Sequence, residues 1–157
     1  MIMETEIKNV FVSHYHEDED SIKNLKSLLG DKYELHNYSV TSEKFNNAKN
    51  DDYIKSLLRP LINKAGTFIC LIGPNTHDSD WVDWEVREAA RLNKPIIGIY
   101  LRGASDADLP DAVNELADTI VGWNEDRIVD AIKNGQTYFE KADGSQRDYV
   151  DSSRETC

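Results

Sequence analysis

The sequence predicts an α/β domain, a flavodoxin-like three-layer sandwich whose five-stranded parallel sheet has the order 2-1-3-4-5. Two short runs, GTFICLIG (66–73) and KPIIGIYL (94–101), are apolar at successive positions, as strands buried on both faces of a parallel sheet are. Segments of helical periodicity alternate with the strand-like runs, the pattern that builds right-handed βαβ units. At 157 residues the chain is long enough for one domain with a real core and short for two.

Residues 7–13, IKNVFVS, form a β-branched and aromatic run bounded by polar residues, which fits a buried first strand. The charged loop HYHEDED leads into a helix over about 17–29, where Ile22, Leu25, Leu28 and Leu29 recur at helical spacing and Gly30 supplies a C-cap. YELHNY (33–38) reads as a short second strand. The stretch SVTSEKFNNAKNDD has no apolar periodicity, and a loop of that length is uncommon in a compact domain unless it serves a site.

Asp51 or Asp52 can cap the next helix, whose stripe is Ile54, Leu57, Leu58, Leu61 and Ile62; Pro60 should kink or break it. After the strand at 66–73 comes the segment GPNTHDSDWVDWEVREAARL, a turn that continues as a helix. The strand at 94–101 is followed by a polar loop, Pro110, and a short helix near 111–117. DTIVGW supplies the fifth strand, and NEDRIVDAIKNG is an amphipathic last helix ending before Gly135. Residues 137–157 are a C-terminal extension, either a hairpin about Asp143 and Gly144 or a flexible tail.

Charge narrows the function. With 18 basic and 29 acidic residues the net charge is −11, which repels phosphate backbones and argues against nucleic acid as partner. No stretch approaches the roughly 18 apolar residues a membrane helix requires, and the N-terminus lacks a basic segment followed by an apolar run, so a cytoplasmic protein is expected. Cys70 and Cys157 make no plausible bridge or metal spacing, and His14, His16, His36 and His77 match no zinc pattern. No metal and no resident cofactor are expected.

One acid breaks the pattern. Projected at about 100° per residue, Trp81, Val82, Val86, Ala89, Ala90 and Leu92 share one half of their helix, and Glu85 falls inside that apolar half. A carboxylate among apolar neighbours is costly without compensation. Acids are favoured in a first helical turn, which explains Asp80 and Asp83; a capping box does not explain Glu85, since Val82 stands three residues before it. In a sheet of order 2-1-3-4-5 the ligand crevice opens at the carboxyl ends of strands one and three, so this face becomes a crevice wall and Glu85 need not lie in core.

Absent motifs set several users of such a fold aside. A phosphate-accepting receiver would need acids after strand one, an Asp closing strand three and a Lys closing strand five, where this chain has Ser13-His14, Gly73-Pro74 and Trp123. Neither GxGxxG after strand one nor GxxxxGK[ST] anywhere is present.

The pair VFVSHYHED after strand one and SDWVDWE opening the third helix resembles the TIR superfamily, in which a strand ending in F-[IV]-S precedes a polar loop and a Ser-x-Trp-x-x-x-Glu segment opens a helix. Ser79, Trp81 and Glu85 keep all three offsets. The SHxxxD and WVxWE forms are most similar to the bacterial TIR-like branch of Thoeris anti-phage defence, the ThsB type, over about residues 7–135. The resemblance implies a TIR-like domain at 1–136, with Glu85 catalytic and the substrate bound by Phe11, Ser13, His14, Tyr15, Ser39, Ser79 and Trp81. His14 stands for the commoner Tyr, Tyr15 for the commoner Arg and Val82 for a frequent Cys.

The resemblance also implies an activity. Catalytic members cleave the nicotinamide–ribose bond of NAD, their substrate, to linear or cyclic ADP-ribose; a cyclic isomer would be a second messenger for a separate effector protein. Self-association is expected of the family as well. Two other classes stay open: a non-enzymatic TIR-like scaffold, and a nucleoside deoxyribosyltransferase-like enzyme, for which no acid partner able to protonate a neutral base is evident.

Overall fold

The computed structural model describes residues 7–15, 19–37 and 51–146. Five strands, β1 (Lys8–Ser13), β2 (Tyr33–Asn37), β3 (Thr67–Ile72), β4 (Ile96–Tyr100) and β5 (Thr119–Val121), form one sheet of order β2-β1-β3-β4-β5. Every pairing is parallel, so the three-layer α/β expectation holds in class and in order.

Among the described residues five α-helices cross over between the strands or follow them: α1 (Glu19–Leu29), α2 (Asp51–Lys64), α3 (Asp80–Arg91), α4 (Asp111–Leu116) and α5 (Glu125–Lys133). Strand alternation divides the core. Phe11, Phe68, Cys70, Ile72 and Tyr100 point to one face, where α2, α3 and α4 cover them with Leu58, Ile62, Val86, Ala89 and Val113. Val10, Val12, Ile69, Leu71, Ile97 and Ile99 point to the other and meet Leu25 and Leu29 of α1 and Ile128 of α5.

Two local expectations change. α2 contains Asp51 and Asp52 and runs on through Pro60 to Lys64. Pro60 lies on the exposed side, and the buried stripe of Ile54, Leu58 and Ile62 holds the helix against the sheet, outweighing one missing backbone hydrogen bond. Residues 38–50, expected as a long loop, lie outside the described residues.

The extension beyond α5 begins beside the sheet edge. The amide of Ile120 donates to the carbonyl of Tyr138 (2.8 Å), and the amide of Glu140 donates to the carbonyl of Ile120 (2.9 Å). Glu140, itself buried, accepts from the amide of Gly122 (3.0 Å) and pairs with Arg127. Residues 138–140 thus satisfy backbone groups that an edge strand would leave bare. A turn about Gly144 (φ +88°) folds Gln146 back onto Glu140.

Gly98, in the middle of β4, is required by close approach. A β-carbon there would lie 2.9 Å from Val113 Cγ1 and 3.4 Å from Ile72 Cδ1. Val113 is β-branched and fully buried, with little freedom to yield. Gly98→Ala should therefore destabilise the fold by about 1–3 kcal/mol, read from the midpoint of denaturant unfolding.

Candidate active site

The site begins with strand register. Ser13 ends β1 opposite Cys70 of β3, two positions beyond Phe11 on the same face, and so points toward the helices α2 to α4. After β3, a turn stabilised by the Thr76 hydroxyl, which accepts from the Gly73 amide (2.8 Å), reverses the chain. Ser79 then caps α3, its Oγ accepting from the amide of Val82 at 3.2 Å. This cap fixes where α3 starts and therefore which residue, six positions on, reaches the end of β1.

That residue is Glu85. The Ser13 hydroxyl donates to Glu85 Oε1 at 2.7 Å, joining residues 72 positions apart in sequence. Glu85 is 1% exposed, and its Oε2 has no hydrogen-bond partner among the described residues. The expectation of an acid on an open crevice wall is corrected here: Val82, Val86 and Ala89 carry their face of α3 into the core, and Glu85 goes with them. Burial pushes its carboxyl up to about 8 from an ordinary 4.5, against the smaller lowering effect of the Ser13 hydroxyl.

A second acid on α3 shows what compensation would look like. Glu88, projected outside the apolar half, is buried as well, yet Arg91 chelates it and Arg59 of α2 lies 3.4 Å away. These guanidiniums, Arg91 first, hold the Glu88 carboxyl below the ordinary range. Among the described residues no Lys, Arg or His pairs with Glu85. A neutral acid with one unoccupied oxygen is a costly thing to keep in a core, and such groups concentrate where chemistry is done.

The other expected site residues divide. His14 is buried beside Ser13, its Nδ1 2.8 Å from the carbonyl oxygen of Tyr15, and Tyr15 is half-buried at the mouth of the β1 loop. Ser79 serves as the helix cap. Trp81 lies half-buried on the α2–α3 seam, edge-on to Trp84 at 6.0 Å, with the Lys55 ammonium 5.9 Å from its ring centre. Phe11, fully buried and stacked on Phe68 at 5.6 Å, sits two residues below Ser13, under the helices. Ser39 lies outside the described residues.

The Ser13–Glu85 bond carries a prediction. Ser13→Ala removes the only donor that Glu85 has among the described residues, which should push its carboxyl further above 8 and cost about 1–3 kcal/mol. A titration of the glutamate side-chain carbon signals by NMR reads the first effect, and chemical unfolding the second.

No metal cluster forms among the described residues, and no helix there is long and apolar enough to cross a membrane.

A doubly wound sheet of this order, with a Ser-x-Trp-x-x-x-Glu helix returning its glutamate to the end of β1, defines a TIR-like domain. The family profile described as the Thoeris protein ThsB, TIR-like domain, matches residues 11–106, and the chain belongs to that family. Solved structures share the architecture at low identity. A 2-deoxyribosyltransferase from Bacillus psychrosaccharolyticus is similar with TM-score 0.60 at 10% identity, over 76% of this chain and 89% of that one. The CMP N-glycosidase BcmB of Clostridium botulinum gives TM-score 0.51 at 19% identity, over 81% and 99%. A pilus assembly-related protein from Burkholderia pseudomallei gives 0.52 at 16%, over 94% and 98%. At these identities the likeness is one of fold. No curated protein matches the chain.

Proposed function

We propose that this TIR-like protein cleaves the bond between nicotinamide and ribose in NAD, acts in the cytoplasm in Thoeris-type anti-phage defence, and releases a cyclic ADP-ribose isomer that signals to a separate effector. The observation that carries the reading is the half-satisfied Glu85 carboxyl: Oε1 is held by Ser13, and Oε2 is left for a ligand. Family membership supplies the context.

The chemistry suits one carboxyl. Nicotinamide is cationic while attached and leaves neutral, taking the electron pair of its bond to the ribose C1′ carbon, so no general acid is needed at the leaving group. Ordinary glycosidases need two acids for want of this. A cationic ring brought beside Glu85 favours the ionised form, so binding releases the carboxyl proton to water and leaves a carboxylate facing an oxocarbenium-like transition state. Oε2 then accepts from a ribose hydroxyl. Capture of C1′ by water, which loses a proton, gives ADP-ribose; capture by a nucleophile within the ADP-ribosyl group gives the cyclic isomer. Because Glu85 is 1% exposed, the side chains above Oε2 must part before substrate arrives, coupling binding to opening.

One observation favours a second reading. A carboxyl pushed up to about 8 is mostly protonated at neutral pH and can donate to a neutral leaving base, as N-glycosidic cleavage of an ordinary nucleoside requires. The two are separated by incubating the protein, and extracts of infected cells producing it, with NAD and with a panel of nucleosides, and identifying products by mass and chromatography. Nicotinamide with a cyclic ADP-ribose isomer is the expected outcome. Free nucleobase with NAD untouched would replace the proposal with the second reading.

A further inference from the structure

Five arginines are among the described residues, and four meet carboxylates: Arg59 and Arg91 at Glu88, Arg87 at Asp83 and Glu115, Arg127 at Glu140. Arg102, just past β4, meets none among them; its neighbour is the ring of Trp123, whose centre lies 5.9 Å from the guanidinium carbon. In a chain of net charge −11 an arginine that pairs with no acid among the described residues is a local exception.

Its position makes the exception useful. Arg102 and Trp123 line two adjoining clefts at the carboxyl end of the sheet. The smaller, about 180 Å³, is completed by Ser21, Asn24, Pro74 and Leu101, with no carboxylate among the described residues of its wall. The larger, about 610 Å³, runs on past Gly103, Gly122, Asn124 and Gly144. Arg127 is paired with Glu140 and donates to the Gly144 carbonyl (3.0 Å), while Asp143, in the wall of the larger cleft, remains a carboxylate that accepts from the amide and hydroxyl of Ser145, so the anion belongs at the Arg102 end. The charge that the described residues leave in the smaller cleft is positive, and the remaining polar side chains there, a hydroxyl and an amide, can each donate to an anion. Trp123 holds the guanidinium in place, so less ordering entropy is lost when an anion arrives. The fork of a guanidinium suits two oxygens of a phosphate group, and the volume of the two clefts together admits more than one phosphate.

We infer that the cleft over the carboxyl ends of β4 and β5 binds the diphosphate group of a nucleotide, with Arg102 as its anion-binding residue and Trp123 as the residue that positions it. The site is distinct from Glu85, which lines neither cleft, and does not depend on the reaction there.

Binding is measured by calorimetry on the full chain carrying Glu85→Gln, so that no turnover intervenes, with ADP and inorganic pyrophosphate as probes at low salt. Both should bind, and Arg102→Ala should weaken both by at least about tenfold, as loss of charge-assisted hydrogen bonds does. Arg102→Lys, which keeps charge but not the fork, should fall between. Tighter binding of ADP identifies a nucleotide as the source, and equal binding identifies the free diphosphate. Trp123→Leu should weaken both probes without unfolding the chain, checked by circular dichroism. Absence of binding to the parent chain, or binding that Arg102→Ala leaves unchanged, overturns the proposal.

Discussion

Glu85→Gln is expected to lower nicotinamide release from NAD by at least about 100-fold, the scale seen when a preorganised electrostatic partner of a transition state is removed. The substitution keeps shape and keeps an oxygen to accept from Ser13, so the loss belongs to charge. Glu85→Ala should lose as much activity and also leave a cavity at the end of β1, with a stability cost that Gln avoids. A scaffold acting by self-association would show the same cavity cost and release no nicotinamide with any side chain at this position. The Gln variant with full folding and no activity is the outcome that separates chemistry from architecture.

The same substitution should stabilise the protein, and in a pH-dependent way. Below pH 4.5 the Glu85 carboxyl is neutral in folded and unfolded chains alike and contributes nothing to the difference. Between 4.5 and about 8 the unfolded chain has released this proton while the folded chain retains it, so folding stability falls as pH rises through that window and levels off above it. At about 1.4 kcal/mol per pKa unit, the full interval corresponds to a loss on the order of 5 kcal/mol, complete just above pH 8. Gln does not ionise. Its unfolding free energy should match that of the wild type at pH 4.5 and exceed it increasingly up to pH 8; comparing the two chains at each pH cancels the other carboxylates. A gap independent of pH would mean that Glu85 is not held neutral. A stability gain joined to a loss of activity is the usual signature of a site held in a costly state for use.

Much of this was legible beforehand, for identifiable reasons. TFICLI and IIGIY are continuous apolar runs because a parallel sheet covers both faces, and helical segments of ordinary length leave few ways to connect them. Glu85 was conspicuous because periodicity put a charge where methyl groups belong. Its partner was not derivable: Ser13 meets Glu85 only through the register of β1 on β3 and the start of α3 at Ser79, and neither is encoded in local pattern. Phe11 and Ser13 share a strand face, and sequence has no means of showing that the helices cover the first. Glu88 was misplaced because it lies at the border of the helical stripe, and its compensation comes partly from another helix through Arg59. The Arg102–Trp123 cleft escaped for a similar reason. Its parts come from α1, the β3 turn and the ends of β4 and β5, and what distinguishes Arg102 is that it pairs with no acid among the described residues, a property of three-dimensional arrangement.

The proposed activity requires Glu85 to be a working carboxyl, which a comparison of wild type with one variant tests. Extracts are prepared from phage-infected cells producing wild-type or Glu85→Gln protein at equal levels, and nicotinamide release from added NAD is followed in both. The account predicts release in the wild-type extract and background in the variant. Equal rates in the two extracts, whether high or at background, would contradict it.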